Sequence, residues 1–209
     1  MEIEIRTLRR KDHQKAIRFA FVGMHFDWYT DSRALLWLYS RYFWYLELTR
    51  ATQLLAAYDG DRLLGVLLAA VEGEPLAAPS AWKSAAVKLL DRFQGLITRG
   101  GPSVYEEANR ELFARYRRCC RPDGEILFLA VDPGAEGRGI GSLLLAELEN
   151  REQGKVLYLY TDNACTYQFY DRRGFTRAGE TDIVLEITGK VTPLTCMLYS
   201  KAIPKEGTG

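Results

Sequence analysis

Leu129-Ala-Val-Asp-Pro-Gly-Ala-Glu-Gly-Arg-Gly-Ile-Gly-Ser142 decides how this chain is read. A short apolar strand, Ile126 to Val131, runs into a glycine-rich turn. The turn opens a helix predicted over Gly137 to Gln153, with Ile140, Leu143, Leu144 and Leu148 on one stripe. The first amides of a helix have no intrahelical partner, and the helix dipole adds partial positive charge at that end. Gly137, Gly139 and Gly141 let a ligand approach those amides closely. Together these features describe an anion site suited to a diphosphate.

Other phosphate loops are tested against the same residues. A Walker loop needs Lys after its second glycine, and counting from Gly134 through Gly139 the next residue is Ile140, so that reading fails. A dinucleotide fingerprint beginning Gly137-Arg-Gly139 meets Ser142 where a third glycine belongs. Asp162 does stand about twenty residues on, as that fingerprint asks, so this alternative stays open.

A second segment follows after one helix and one strand, Val156 to Tyr160. It reads Asn163-Ala-Cys-Thr-Tyr-Gln-Phe-Tyr170-Asp-Arg-Arg-Gly174-Phe175, a short helix predicted over Ala164 to Arg173 leading into a strand. The first segment, Val131-Asp-Pro133 with Gly137-Arg-Gly-Ile-Gly141 and Leu143-Leu144, resembles the acetyl-CoA loop of the GNAT superfamily of N-acetyltransferases. Glu136 replaces the usual Gln or Arg at the loop's start. The second segment resembles that family's Asn…Phe-Tyr…Gly-Phe motif, with Thr166 in place of the usual alanine. The two motifs cover about residues 125–178, in the family's order.

This resemblance implies a mixed α/β fold with a mostly antiparallel sheet flanked by helices, parallel only where the cofactor opens the strands. It implies acetyl-CoA as cosubstrate, held by backbone around Leu129, Ala130 and Val131, by Gly137, Arg138, Gly139, Gly141 and Ser142, and by Asn163 and Tyr170. It implies direct attack of a primary amine on the thioester, with Tyr170 as general acid to the departing thiolate. No general base is readable: Glu72, Glu125, Asp162 and Glu186 all stand near predicted strand ends. An acyl-enzyme route through Cys165 is conceivable, although a small buried cysteine is the plainer reading. The competing functions are a non-catalytic acyl-CoA-binding or sensory module and the dinucleotide binder.

Outward from these motifs, Ile3 and Ile5 alternate with charged residues as a strand, and Asp12 is placed to cap a helix bearing Ile17, Ala20 or Phe21, and Met24. Aromatic residues crowd positions 26–45, and Asp31 or Ser32 opens a helix there that is apolar nearly all round. Gln53–Tyr58 and Leu63–Val71 flank Asp59-Gly-Asp-Arg62 as a hairpin. Residues 75–121 differ in texture and read as a helical insertion, one helix with Trp82, Ala85, Leu89 and Phe93, a second capped by Ser103 and Glu106. Thr181–Ile187 and Leu194–Tyr199 read as a last antiparallel pair. The chain is thus a single domain over 1–203 with a disordered tail, 204–209.

The acceptor is expected to be a small-molecule or peptide amine, selected by the aromatic stretch (Trp28, Tyr29 and Trp44, with Asp27 and Asp31) or by the insertion. Arg115, Arg117, Arg118 and Arg121 form a basic run at the insertion's end, either a solvated helix end or a phosphate contact. With 28 basic and 27 acidic residues among 209, no basic excess points to nucleic acid. No apolar run reaches a membrane span and no signal core opens the chain, so a cytoplasmic protein without membrane contact is expected. Four cysteines and two histidines show no metal-ligand spacing, so no metal is expected. The sequence leaves room for a homodimer.

Overall fold

A computed structural model describes residues 2–23, 32–79, 104–187 and 190–205. Strand β1 (Ile3–Arg6) leads through a 3-10 turn, Arg10–Asp12, to helix α1 (His13–Gly23). Helix α2 (Arg33–Arg50) precedes the hairpin β2 (Gln53–Asp59) and β3 (Arg62–Val71), and helix α3 (Val104–Tyr116) lies in the insertion. Then follow β4 (Gly124–Val131), α4 (Ile140–Arg151), β5 (Val156–Asp162), the short α5 (Gln168–Asp171), β6 (Thr176–Ile187) and β7 (Lys190–Ala202). The seven strands form one sheet in the order β1-β2-β3-β4-β5-β7-β6. Every neighbouring pair is antiparallel except β4 and β5. This is the expected fold class, a mixed, mostly antiparallel sheet with helices on its faces.

Both faces are covered, which is why β2 and β3 read as nearly unbroken apolar runs. Helix α4 lays Ile140, Leu144, Leu145 and Leu148 on Leu55, Leu67, Leu157 and Leu159. Gly65 makes that approach possible, since a Cβ there would stand 3.0 Å from Ile140 Cγ2. Helices α1 and α2 cover the other face with Ile17, Phe19, Trp44 and Leu48 against Val66, Leu68 and Phe128. Helix α3 packs Ala108, Leu112 and Tyr116 on Cys196 and Leu198, with Tyr158 and Tyr160 alongside.

One irregularity shapes the centre of the sheet. Leu68 pairs with Phe128 and Ala69 with Ile126, so Leu127 is an extra, bulged residue in β4. In a regular strand Ile126, Phe128 and Ala130 would share a face. Here Ile126 packs under α4, whereas Phe128 and Ala130 pack under α1 and α2.

The helices differ from expectation at their ends. Helix α4 starts at Ile140 rather than Gly137, because Gly139 occupies the cap in the left-handed conformation. The helix expected over Ala164 to Arg173 is a single turn: the Asp162 carboxylate binds the amides of Ala164 and Cys165 as a turn, and Gly174 at φ +76° ends it. Asp12 accepts from Arg9 and the Tyr58 hydroxyl, holding the chain ahead of α1 to the hairpin. Helix α2 opens at Ser32, whose carbonyl accepts from the Leu36 amide at 2.9 Å. Its outer side is less covered than the apolar pattern suggested, for Trp37 is 61% exposed. Trp28, Tyr29, Asp27, Asp31, Met24, Ser103 and the first helix of the insertion lie outside the described residues.

Candidate functional site

The loop after β4 is built on its own carboxylate. Asp132 Oδ1 accepts from the Gly134 amide at 3.1 Å, while Oδ2 meets Lys15 at 3.3 Å and Arg62 at 3.1 Å. Burial works against this carboxylate, but the Gly134 amide and the two cations hold it below its ordinary pKa. Beyond this turn the glycines divide by task. Gly137 (φ +73°) and Gly139 (φ +76°) are needed for backbone conformation, and a Cβ on either would meet nothing within 4 Å. Gly141 lies against the second motif: a Cβ there would stand at ordinary contact distance, 3.5 Å from the Phe169 ring and 3.6 Å from Val131 Cγ2. The space beside Gly137 and Gly139, ahead of the first amides of α4, is therefore open.

Two expected phosphate contacts are already partnered. Arg138 lies 3.9 Å from Asp59 at the end of β2. The Ser142 hydroxyl receives Arg173 Nε at 3.1 Å, with Nη2 also bonded to it.

The second motif lies against the first. Asn163 extends the β5–β7 ladder: its amide donates to Thr195 O at 3.2 Å and its Oδ1 accepts from the Thr195 amide at 3.0 Å. Asp162 Oδ2 accepts from the Tyr105 hydroxyl at 2.9 Å, tying the motif to α3. Helix α5 then places Tyr170 among Phe169, Phe175 and Tyr199, with ring centroids 5.2, 5.6 and 6.1 Å away. The Tyr170 hydroxyl bonds no described residue, and burial pushes its pKa well above the ordinary phenol value, with the Cys165 thiol adding to the rise. It is a held proton with a free end. Burial also pushes the Cys165 thiol up to about 12, which leaves it a poor nucleophile.

Between the motifs the sheet opens. β4 and β5 are paired at two positions only, Gly124 with Leu157 and Glu125 with Tyr158. Past that fork Leu129, Ala130 and Val131 are matched to Leu67, Val66 and Gly65 of β3, and no β5 residue pairs with them. An unpaired strand edge offers amides and carbonyls to an extended ligand.

At the fork lies a network that sequence reasoning missed. Arg50 reaches Glu47 at 3.2 Å through Nη1 and Glu125 Oε2 at 2.6 Å through Nη2. The Tyr158 hydroxyl donates to the same Glu125 oxygen at 3.1 Å. Glu47 is buried, and burial raises its pKa to about 7 despite Arg50 beside it. Tyr158 and Tyr160 are raised too, first by burial and then by Glu125. Glu47 is the only acid in α2, and a lone carboxylate in an apolar helix was the available signal. Of the four acids singled out from the sequence, only Glu125 lies at the fork; Glu72 and Glu186 are exposed and Asp162 anchors the turn.

Among the described residues no three His, Cys, Asp or Glu side chains are placed to hold a metal. No described helix is long and apolar enough to cross a membrane.

Residues 102–177, which contain both motifs, match the family model of the acetyltransferase (GNAT) domain. A mycothiol acetyltransferase of Rhodococcus opacus is 46% identical over 59 residues, 26% of this chain and 19% of that protein. The N-alpha-acetyltransferase RimI of Mycobacterium tuberculosis is 44% identical over 57 residues, 26% of this chain and 36% of that protein. The chain thus spans about a fifth of the length of the mycothiol acetyltransferases it matches. Among solved structures, the PaiA N-acetyltransferase of Thermoplasma acidophilum in complex with coenzyme A is similar at TM-score 0.54 and 17% identity, covering 97% of this chain and 99% of that one. The ribosomal-protein-S18-alanine N-acetyltransferase of Escherichia coli is similar at TM-score 0.53 and 14% identity, covering 100% of this chain and 98% of that one. Both likenesses speak for the fold.

Proposed function

We propose that this chain, whose residues 102–177 fall within the GNAT acetyltransferase domain family, is an acetyl-CoA-dependent N-acetyltransferase acting on a primary amine. The observation that carries the proposal is the fork itself. The one parallel pair among the described strands separates after Glu125 and Tyr158, with the glycine loop at its open end and the Tyr170 turn packed on Gly141.

Bound along that edge, acetyl-CoA supplies an acyl group activated as a thioester. Gly137, Gly139 and the first amides of α4 hold the anionic end. The backbone of Leu129 to Val131 aligns the arm as an added strand would be aligned. Amides at the bulged stretch of β4 are the donors for charge growing on the carbonyl oxygen, a contribution on the order of 3 kcal/mol per donor in other acyl-transfer sites. Glu125 takes the proton from the attacking ammonium, and Arg50 and Tyr158 fix its position. Tyr170 gives its proton to the departing sulfur, and its raised pKa keeps it protonated at neutral pH. One carbon–nitrogen bond forms and one carbon–sulfur bond breaks; the nitrogen loses two protons, the first to Glu125 before attack and the second, on collapse, replacing the proton that Tyr170 gives to sulfur.

The test is a thermal-shift panel of acetyl-CoA, longer acyl-CoAs, NAD and ATP, followed by thiol release with a set of amines. Acetyl-CoA at a hundredfold excess over its dissociation constant stabilises the fold by about 2.7 kcal/mol. Stabilisation by NAD and by no CoA species overturns the proposal. Binding without thiol release from any amine reduces it to a CoA-binding module.

A further inference from the structure

A cavity of about 230 Å³ lies where α3 ends beside the start of β4, and its lining includes Arg117, Arg121, Glu72, Glu125, Phe113 and Tyr158. Its lining carries both signs of charge, and a third carboxylate in it, Asp123, is engaged through Oδ2 by the Val156 amide at 2.7 Å. Arg117 and Arg121 make no ion pair with a described residue, and the Arg117 guanidinium lies over the Phe113 ring at 5.7 Å. Arg50, Arg62, Arg115, Arg151 and Arg177, by contrast, each have a carboxylate within 3.3 Å. Glu125 also lines it; its bonds from Arg50 and Tyr158 both fall on Oε2, so that Oε1 has no partner among the described residues. Glu72, exposed on the turn after β3, adds a second carboxylate at the rim. Phe113 and Tyr158 stack in the lining with centroids 4.8 Å apart.

We propose that this cavity is the acceptor pocket and that the acceptor is a small zwitterionic amine, its ammonium on Glu125 and its anionic group, carboxylate or phosphate, on Arg117 and Arg121. The inference rests on the acetyltransferase reading above and adds to it the charge of the substrate. A paired guanidinium contributes little new attraction, whereas two unneutralised ones beside an apolar floor favour an anion and orient it. The volume suits a molecule of amino-acid size and excludes a folded protein surface, though an extended peptide end could enter from the rim. The ammonium at Glu125 stands at the fork where β4 and β5 part.

The experiment is initial-rate kinetics on the full chain with acetyl-CoA and matched acceptors: β-alanine against β-alaninamide, 2-aminoethyl phosphate against ethanolamine, and a peptide with a neutral N-terminal residue. The anionic member of a pair is expected to have a kcat/KM at least about tenfold higher, the value of one charge-assisted contact. Comparison of the β-alanine and aminoethyl phosphate pairs distinguishes carboxylate from phosphate. In the double variant Arg117→Gln, Arg121→Gln the preference collapses through acceptor KM, with KM for acetyl-CoA unchanged. Both arginines are exposed, so the fold survives the change. Equal rates for both members of each pair, a preference for the peptide, or a preference untouched by the double variant overturns the proposal while leaving the acetyltransferase reading intact. Absence of thiol release with every amine overturns both.

Discussion

Arg173 lays its guanidinium on the Ser142 hydroxyl, Nε 3.1 Å from Oγ, so the turn that carries Tyr170 is fastened to the first turn of helix α4. Phe169 reinforces the joint from the buried side, packed against the bare face of Gly141. The anion loop and the proposed acid are therefore positioned by the same few contacts.

Arg173→Ala releases that fastening. The bond is exposed, so global stability falls by no more than about 1 kcal/mol, but the loop and the turn lose their common reference. Calorimetric titration is expected to show acetyl-CoA binding weakened several-fold, with a similar loss for Ser142→Ala. An affinity unchanged in both variants would separate the joint from cofactor binding.

Tyr170→Phe keeps the ring among Phe169, Phe175 and Tyr199 and removes only the hydroxyl, which bonds no described residue. Turnover is expected to fall at least about tenfold, a conservative bound beside the roughly hundredfold or more that a general acid typically contributes. Acetyl-CoA affinity and melting temperature should stay close to the parent's. A parental rate of thiol release removes Tyr170 from the mechanism.

The glycines of the loop predict unequal responses to the same change. Gly139→Ala forces a side chain into the left-handed region at φ +76°, at a cost of about 1–2 kcal/mol. Gly141→Ala adds a methyl at ordinary contact distance from Phe169, with no such backbone penalty. Denaturant unfolding should therefore show a clear loss for Gly139→Ala and little for Gly141→Ala. A Gly139→Ala variant as stable as the parent would contradict the left-handed cap.

What the sequence made legible was what local chemistry dictates. The strand, glycine turn and helix from Ile126 onward and the hairpin around Gly60 were readable because period and turn residues agree there, and the partly parallel sheet was implied by the resemblance the two motifs carry. The boundaries of α4 and α5 were not, since a left-handed cap at Gly139 and a side-chain cap from Asp162 decide them. Nor was the network at the fork. Glu47, Arg50, Glu125 and Tyr158 come from three separate elements, and their meeting depends on the register of β4 with β5 and on the placement of α2 across it. The bulge at Leu127, which sends Ile126 and Phe128 to opposite faces, likewise leaves no trace in a strand that alternates normally.

The fork should also leave a mark on stability against pH. Glu47 goes from an ordinary pKa of 4.5 to about 7 on folding, because its burial opposes the charge. Below pH about 4.5 the carboxyl is protonated in both states and imposes no penalty. As pH rises through the folded pKa, the native state must either keep a proton that the unfolded chain has released or bury the charge, so stability drops. The full drop, complete above pH about 7, is on the order of 3 kcal/mol at 1.36 kcal/mol per unit. Glu47→Gln cannot ionise, and its amide oxygen still accepts from Arg50. Urea unfolding of both proteins at pH 5, 6, 7 and 8 should show the variant gaining on the parent by roughly 2–3 kcal/mol across the series. Their difference cancels the other titrating groups, including Glu152, whose pKa burial also raises. A difference that stays flat from pH 5 to 8 would mean that Glu47 remains ionised throughout and that Arg50, held by both carboxylates, compensates its burial in full.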